Sequence, residues 1–373
     1  MKIMFFPSKL VFKRLFLVSL LYRSMSSSAY RNRRKALPPL PMHIDDLVIR
    51  DQWSETTTDE RFLLFDNTHP RVGGGTFRII CFCAGADLRL LCDTDELFMD
   101  GTFSVAPRHF MQIYTIHGFV NGKQLPLVYA LLTGKTTQIY TKLFQTLKQK
   151  AAELQLVLNP LRVMSDFEVG LLRAIMAEFP QAEHKGCYFH FCQALHRKIK
   201  AIGLQALYND PQDQDTRIFV RKMMATAFLP PGEVVGAVQE LRRQAPAVPR
   251  IDEFNDYFQD TWIAGHFPVS MWNVHGVDRR TNNDIEGWHN AFNRLIAKHH
   301  PNIWELIMAL KKQQSMVSAM RLQIQAGENL AVRQRKYVRL NQRLQILTQR
   351  YINAEIPQQQ FLLCVSYAIA APR

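Results

Sequence analysis

Three acids on three separate segments are the residues best placed to do chemistry. Asp100 lies inside the run Leu97-Phe98-Met99-Asp100-Gly101-Thr102-Phe103-Ser104-Val105. Strand alternation puts Phe98, Asp100, Thr102 and Ser104 on one face, and Leu97, Met99, Phe103 and Val105 on the other. A carboxylate in mid-strand is costly when dry, and persists when it is paired, hydrogen-bonded or bound to a cation. Asp166 falls where a strand gives way to a helix, the usual address of functional residues in sheets flanked by helices. A helix N-cap is the plain alternative for Asp166, and a turn or strand-end position for Asp100. Glu286 belongs to the run Arg280 to Asn290. Thr281 or Asn282 can cap a helix there with an apolar stripe of Ile285, Trp288, Phe292, Leu295 and Ile296. Glu286, His289, Asn290 and Asn293 form the adjoining polar face.

The elements that must position these acids follow from periodicity. Gly73-Gly74-Gly75 opens onto a strand without the Lys-Ser/Thr of a phosphate loop, and so reads as a hairpin turn. Three strands follow, Leu97 to Val105, Met111 to Val120 and Gln124 to Thr133, the last two joined by the two-residue hairpin signal Asn121-Gly122. A helix over Thr137 to Leu156 has Ile139, Leu143, Leu147, Ala151 and Leu154 at three- and four-residue spacing. A strand over Leu161 to Ser165, a helix over Val169 to Phe179 and a strand near His184 to Phe189 complete the pattern. After Phe191 the chain reads as almost entirely helical to about residue 350. Meandering strands followed by alternating helix and strand describe an α/β fold: a mixed sheet with flanking helices, in the order seen in ribonuclease-H-like proteins.

Composition narrows the function classes. The chain has 373 residues, 47% hydrophobic, and a net charge of +14. That excludes disorder as its main state and points to a polyanionic partner. The charge is uneven: residues 1–44 hold nine basic residues and no acid, residues 45–300 hold 27 basic and 29 acidic residues, and residues 301–373 hold ten basic and three acidic. From Lys311-Lys312 through Arg333, Arg335, Lys336, Arg339, Arg343 and Arg350, a basic helical face suits phosphate tracking, with a solvated surface as the alternative. The first 44 residues read as a basic tail, with Arg31-Asn32-Arg33-Arg34-Lys35 as a nuclear localisation patch. The same stretch also suits a mitochondrial or secretory signal, or a mis-assigned start. Its apolar run, Leu15 to Tyr22, is far short of the roughly 20 residues a membrane span needs, so no stable membrane association is expected. The six cysteines include no CxxC pair, and a disulfide scaffold is excluded. Cys81 and Cys83, on one face of a strand, read as buried core thiols.

The Asp100-Gly101-Thr102-Phe103 strand, the runs Gln112 to His117 and Pro126 to Leu132, the Ser165-Asp166-Phe167-Glu168 turn, the Cys187-Tyr188-Phe189-His190 motif and the Asn282-Asn283-x-x-Glu286 helix together resemble a Mutator-like element (MULE) transposase domain. The resemblance covers roughly Leu97 to His300. It implies an Asp-Asp-Glu active site of Asp100, Asp166 and Glu286 on a ribonuclease-H-like core, with an all-helical insertion between the second and third acids. The spacing agrees: 65 residues separate Asp100 from Asp166 and 119 separate Asp166 from Glu286. The organisation expected is a tail (1–44), a strand-rich segment (45–96), the first part of the core (97–199), the insertion (200–280), the helix carrying the third acid (281–300) and a basic helical C-terminal region (301–373).

The resemblance further implies two divalent ions, Mg2+ or Mn2+, held by the three carboxylates. It implies cleavage and strand transfer on transposon ends and target DNA, nuclear location, and a homo-oligomer when active. It carries over Cys187 and His190 as a motif of underived role, and Trp272 as the insertion's tryptophan, with Trp262 a second candidate. A zinc site using Cys187 and His190 needs about four ligands, for which Cys192, His184 and His196 are nearby, and core packing or a DNA contact is expected instead. Two other readings keep the residues without the reaction: a domesticated, inactive DNA-binding regulator and a nuclear protein-interaction adaptor.

Overall fold

The computed structural model describes residues 37–212, 214–281, 283–328 and 335–369, with the side chains of residues 283, 335 and 336 outside the description. Seven strands form one mixed sheet: β1 (Leu63–Pro70), β2 (Thr76–Phe82), β3 (Glu96–Thr102), β4 (Gln112–Val120), β5 (Lys123–Leu132), β6 (Arg162–Ser165) and β7 (Glu183–Gly186). Their spatial order is β1-β2-β5-β4-β3-β6-β7. The pairs from β1 to β3 are antiparallel, while β3/β6 and β6/β7 are parallel. Asn121 and Gly122 both take positive φ, 44° and 82°, as a twisted two-residue hairpin requires. The strand-rich segment before residue 96 thus contributes two strands to the same sheet.

Alternation along the strands feeds two apolar layers. On one face Ile79, Cys81, Leu97, Met99, Ile116 and Leu127 pack beneath helices α1 (Gly85–Cys92), α2 (Thr137–Glu153) and α3 (Val169–Glu178). On the other, Ile80, Phe82, Ile113, Tyr129 and Leu131 meet Phe292, Trp304, Leu306 and Leu310. The helical residues here come from two helices that follow much later, here numbered α10 (Asn283–Ile296) and α11 (Ile303–Gln325). α11 is fixed to α1 by Arg321, whose Nη1 lies 2.9 Å from the buried Asp87 carboxylate. Lys311 donates to the Gln52 carbonyl at 2.8 Å. Lys311, a cation of the expected basic face, is therefore engaged within the fold.

Between α3 and α10 the chain builds a second, helical core from α4 (Tyr188–Ala201), α5 (Gln205–Asn209), α6 (Gln214–Ala225), α7 (Val234–Arg243), α8 (Ile251–Phe258) and α9 (Val269–Trp272). The C-terminal helices α12 (Arg335–Ile352) and α13 (Gln358–Ala368) join it through Leu344, Leu347, Phe361, Leu362 and Val365. No described helix is long and apolar enough to cross a membrane.

Three expectations are corrected. β7 ends at Gly186 rather than running to Phe189, so Cys187 becomes the N-cap of α4 and His190 lies in its first turn. The strand carrying Asp100 ends at Thr102 rather than running to Val105, and Phe103, outside the pleat, is 48% exposed. The basic stretch after residue 311 is not one face, because α11 packs on the sheet and α12 on the helical core.

Trp272 is fully buried, stacks on Phe191 at 5.0 Å and 7°, and donates its indole N–H to the Trp262 carbonyl at 2.9 Å. Trp272→Ala should therefore destabilise the protein by about 3–5 kcal/mol, and Trp272→Phe by clearly less, in urea denaturation.

Candidate active site

The sheet register brings the first two acids side by side. Phe98 of β3 pairs with Met164 of β6. Two residues further along each parallel strand stand Asp100 and Asp166, on the same face and in the same row. Phe98 and Met164 pack against Ile285, so this is the face that α10 covers. Ser165 pairs with Gly186, which places Cys187 in the row of Asp166 at the end of β7. Asp100, Asp166 and Cys187 thus stand at the carboxyl ends of three neighbouring parallel strands.

Each carboxylate is anchored differently. Asp100 is 6% exposed; its Oδ1 accepts the Gly101 N–H at 2.7 Å, and its Oδ2 lies 3.3 Å from His289 Nδ1. The N-cap of α3 is Glu168, which removes the capping explanation for Asp166. Asp166 Oδ1 instead contacts His190 Nδ1. His190 Nε2 faces Glu286 Oε1 at 3.7 Å. One imidazole therefore touches both the second and the third acid. The buried Glu286 Oε1 accepts no hydrogen bond.

Electrostatics report the crowding. Burial pushes the Asp166 carboxyl above its usual range; His190 pulls it back and Asp100 pushes it further up. Glu286 is raised too, by burial first, with His190 and His289 opposing and Asp100 and Asp166 reinforcing. Burial alone would lower His190, but Asp166 and Cys187 beside it prevail and its pKa is pushed up to about 11. Behind Asp100, the buried His117 hydrogen-bonds Thr115 at 3.1 Å, and burial holds it well below the usual histidine range.

Packing fixes these positions from outside. Phe167, next to Asp166, meets Trp262 edge-on at 4.8 Å and Phe267 at 5.2 Å, while Phe191, next to His190, stacks on Trp272. A Cβ at Gly186 would come within 2.2 Å of the Phe167 ring, so glycine is required there. The segment leading into α10 is tied down by Arg279. Its Nη1 lies 2.8 Å from Glu96, which also pairs with Arg162 at 2.8 Å, and its guanidinium lies 3.1 Å from the Phe119 ring centre.

The expected site residues sort clearly. Asp100, Asp166, Glu286 and His190 come together with Cys187 beside them. Trp272 is a core residue one stacking contact behind His190. Arg339 and Arg343 are exposed on α12, Arg333 lies outside the described residues, and Arg335 and Lys336 begin α12. Asn282 also lies outside the described residues. Of the other zinc candidates, His184 Nε2 is 2.7 Å from Ser165 Oγ, His196 packs edge-on to Tyr208, and Cys192 is buried in the helical core. His289 was legible only as part of a polar helix face; its position three residues after Glu286 was the signal that it shares the site. Among the described residues, no group of three or more His, Cys, Asp and Glu is spaced to hold a metal ion as it stands. The donor chemistry nevertheless suits a hard divalent cation: three carboxylates face one region, and Glu286 has a buried oxygen without a hydrogen bond.

Fold and site together define a mixed-sheet α/β protein with a carboxylate and imidazole cluster at the ends of its parallel strands. Residues 96–194 match the family model of the MULE transposase domain. That stretch runs from β3 into α4 and contains Asp100, Asp166, Cys187 and His190, while Trp272 and Glu286 lie beyond it. No curated protein matches the chain.

Burial lowers the pKa of His184 to about 4. Below pH 6.5 the unfolded chain takes up a proton that the folded one refuses, so this residue's contribution to stability is lost as pH falls from about 6.5 to 4. Unfolding free energies measured across that range should lose close to one proton of pH dependence in His184→Gln.

Proposed function

We propose that the protein is a MULE-type DNA transposase, or a transposon-derived relative, acting in the nucleus with an Asp-Asp-Glu site of Asp100, Asp166 and Glu286. The observation that carries this reading is the convergence of three acids from β3, the β6–α3 turn and α10, on a sheet whose β3 to α4 portion matches the MULE model. The antiparallel β5-β4-β3 meander continued by parallel β6 and β7 supports a ribonuclease-H-like reading of the fold.

The reaction is an in-line attack on a DNA phosphodiester by water or a 3′-hydroxyl. Asp100, Asp166 and Glu286 would hold divalent ions, Mg2+ or Mn2+, that activate the nucleophile and stabilise the leaving oxygen. Asp100 is held rigid by the Gly101 N–H within the strand. Glu286, near the start of α10, approaches from the layer above the sheet, so a phosphodiester entering between sheet and helix would meet all three acids. Arg339 and Arg343, on the solvent side of α12, would contact phosphates away from the site.

Metal-dependent nicking of supercoiled plasmid should fall at least about a hundredfold in Asp100→Asn and in Glu286→Gln, with folding unchanged by circular dichroism. Undiminished metal-dependent nicking in both would overturn the assignment. Arg339→Ala and Arg343→Ala should each lower DNA affinity and reduce the salt slope of binding by about one, measured by fluorescence anisotropy over a salt series.

A further inference from the structure

The Cys187-x-x-His190 spacing acquires a geometric meaning at the start of α4. Cys187 is the N-cap and His190 the third helical residue. Side chains at these two positions lie next to each other at a helix start, as in a capping box. Cys187 and His190 are therefore neighbours at the start of α4. The two ring nitrogens of an imidazole lie on opposite sides of the ring, so one ring held from behind can meet two carboxylates at once. His190 does so, with Nδ1 on Asp166 and Nε2 3.7 Å from Glu286. One turn along α10 from Glu286, His289 meets a single acid, with Nδ1 3.3 Å from Asp100 Oδ2. Its Nε2 is buried without a hydrogen-bond partner.

We propose that His190 and His289 are positioning residues of the carboxylate site. His190, held by Cys187, clips Asp166 to Glu286, and His289 sets Asp100 against the helix that carries Glu286. The inference rests on the reading of the three acids as the working site. It gives the two histidines a task that packing alone does not require, since Tyr188, Phe191 and Leu195 supply the apolar contacts of the same helix. Three carboxylates with nothing between them would turn apart; the His190 imidazole sets the separation of Asp166 and Glu286, and both histidines offset the charge.

The test uses the full chain with 15N-labelled histidine, the His190 and His289 signals being identified by their loss in His190→Asn and His289→Asn. Glu286→Gln and Cys187→Ala should each move the His190 ring nitrogens, and Asp100→Asn should move those of His289. Unmoved His190 signals in both of the first two variants would overturn the clip. Mn2+ affinity, measured on the same proteins, should fall about 10- to 100-fold in His190→Ala and stay near wild type in Cys187→Ser, whose hydroxyl can still hydrogen-bond the imidazole. Undiminished Mn2+ affinity in His190→Ala overturns the proposal, as does stoichiometric zinc in the purified protein that is lost in Cys187→Ala. Failure of the wild-type protein to bind Mn2+ would instead sink the three-carboxylate reading, with the NMR comparison still deciding the clip.

Discussion

Holding three carboxylates together in a half-dry place is the constraint from which most of this structure follows. Burial raises both Asp166 and Glu286, and each acid makes the next harder to ionise. Flexible loops would let such groups turn outward to water. Here Asp100 lies within a central strand, Asp166 directly after the neighbouring strand, and Glu286 on a helix pinned to both strands by Ile285 against Phe98 and Met164. The imidazoles of His190 and His289 occupy the gaps and supply opposing charge or hydrogen bonds.

The helical core between α3 and α10 serves the same constraint. It looks like a separate body, yet its aromatic side chains reach the residues adjoining the site. Phe167 and Phe191 follow Asp166 and His190 in sequence, and both meet Trp262 at 4.8 Å. α4 spans the two bodies, its first turn facing the carboxylates and its later turns carrying Leu195 and Ile199 into the helical core. A disturbance in that core would reach the site through α4 and the Asp166 turn. Glu96 gives the opposite edge a similar role, since its two oxygens bind Arg162 within the sheet and Arg279 just before α10.

Local signals are legible in the sequence because their causes are local. The Asn121-Gly122 hairpin, the glycine turn at residues 73–75, the spaced apolar residues of α2 and the alternation around Asp100 each depend on a few neighbouring residues. Long-range relations were hidden. Nothing near Cys187 shows that the chain turns from strand to helix there, because the sequence stays aromatic and apolar while the backbone changes state. That β1 and β2 join the same sheet, and that α12 and α13 pack on the helical core, depends on partners far away in sequence. The contact of His190 with Glu286, across nearly a hundred intervening residues, could only be seen in three dimensions. Charge counting was right in its totals and incomplete in its placement, since Arg321 and Lys311 are used inside the fold.

The central claim is that Asp100, Asp166 and Glu286 form one cation-holding site, and locating Mn2+ by anomalous diffraction from crystals of the whole chain tests it most directly. The account predicts anomalous density between these three carboxylates, absent in crystals of Asp100→Asn. Mn2+ bound only elsewhere, or density at this place that persists unchanged in Asp100→Asn, would contradict it.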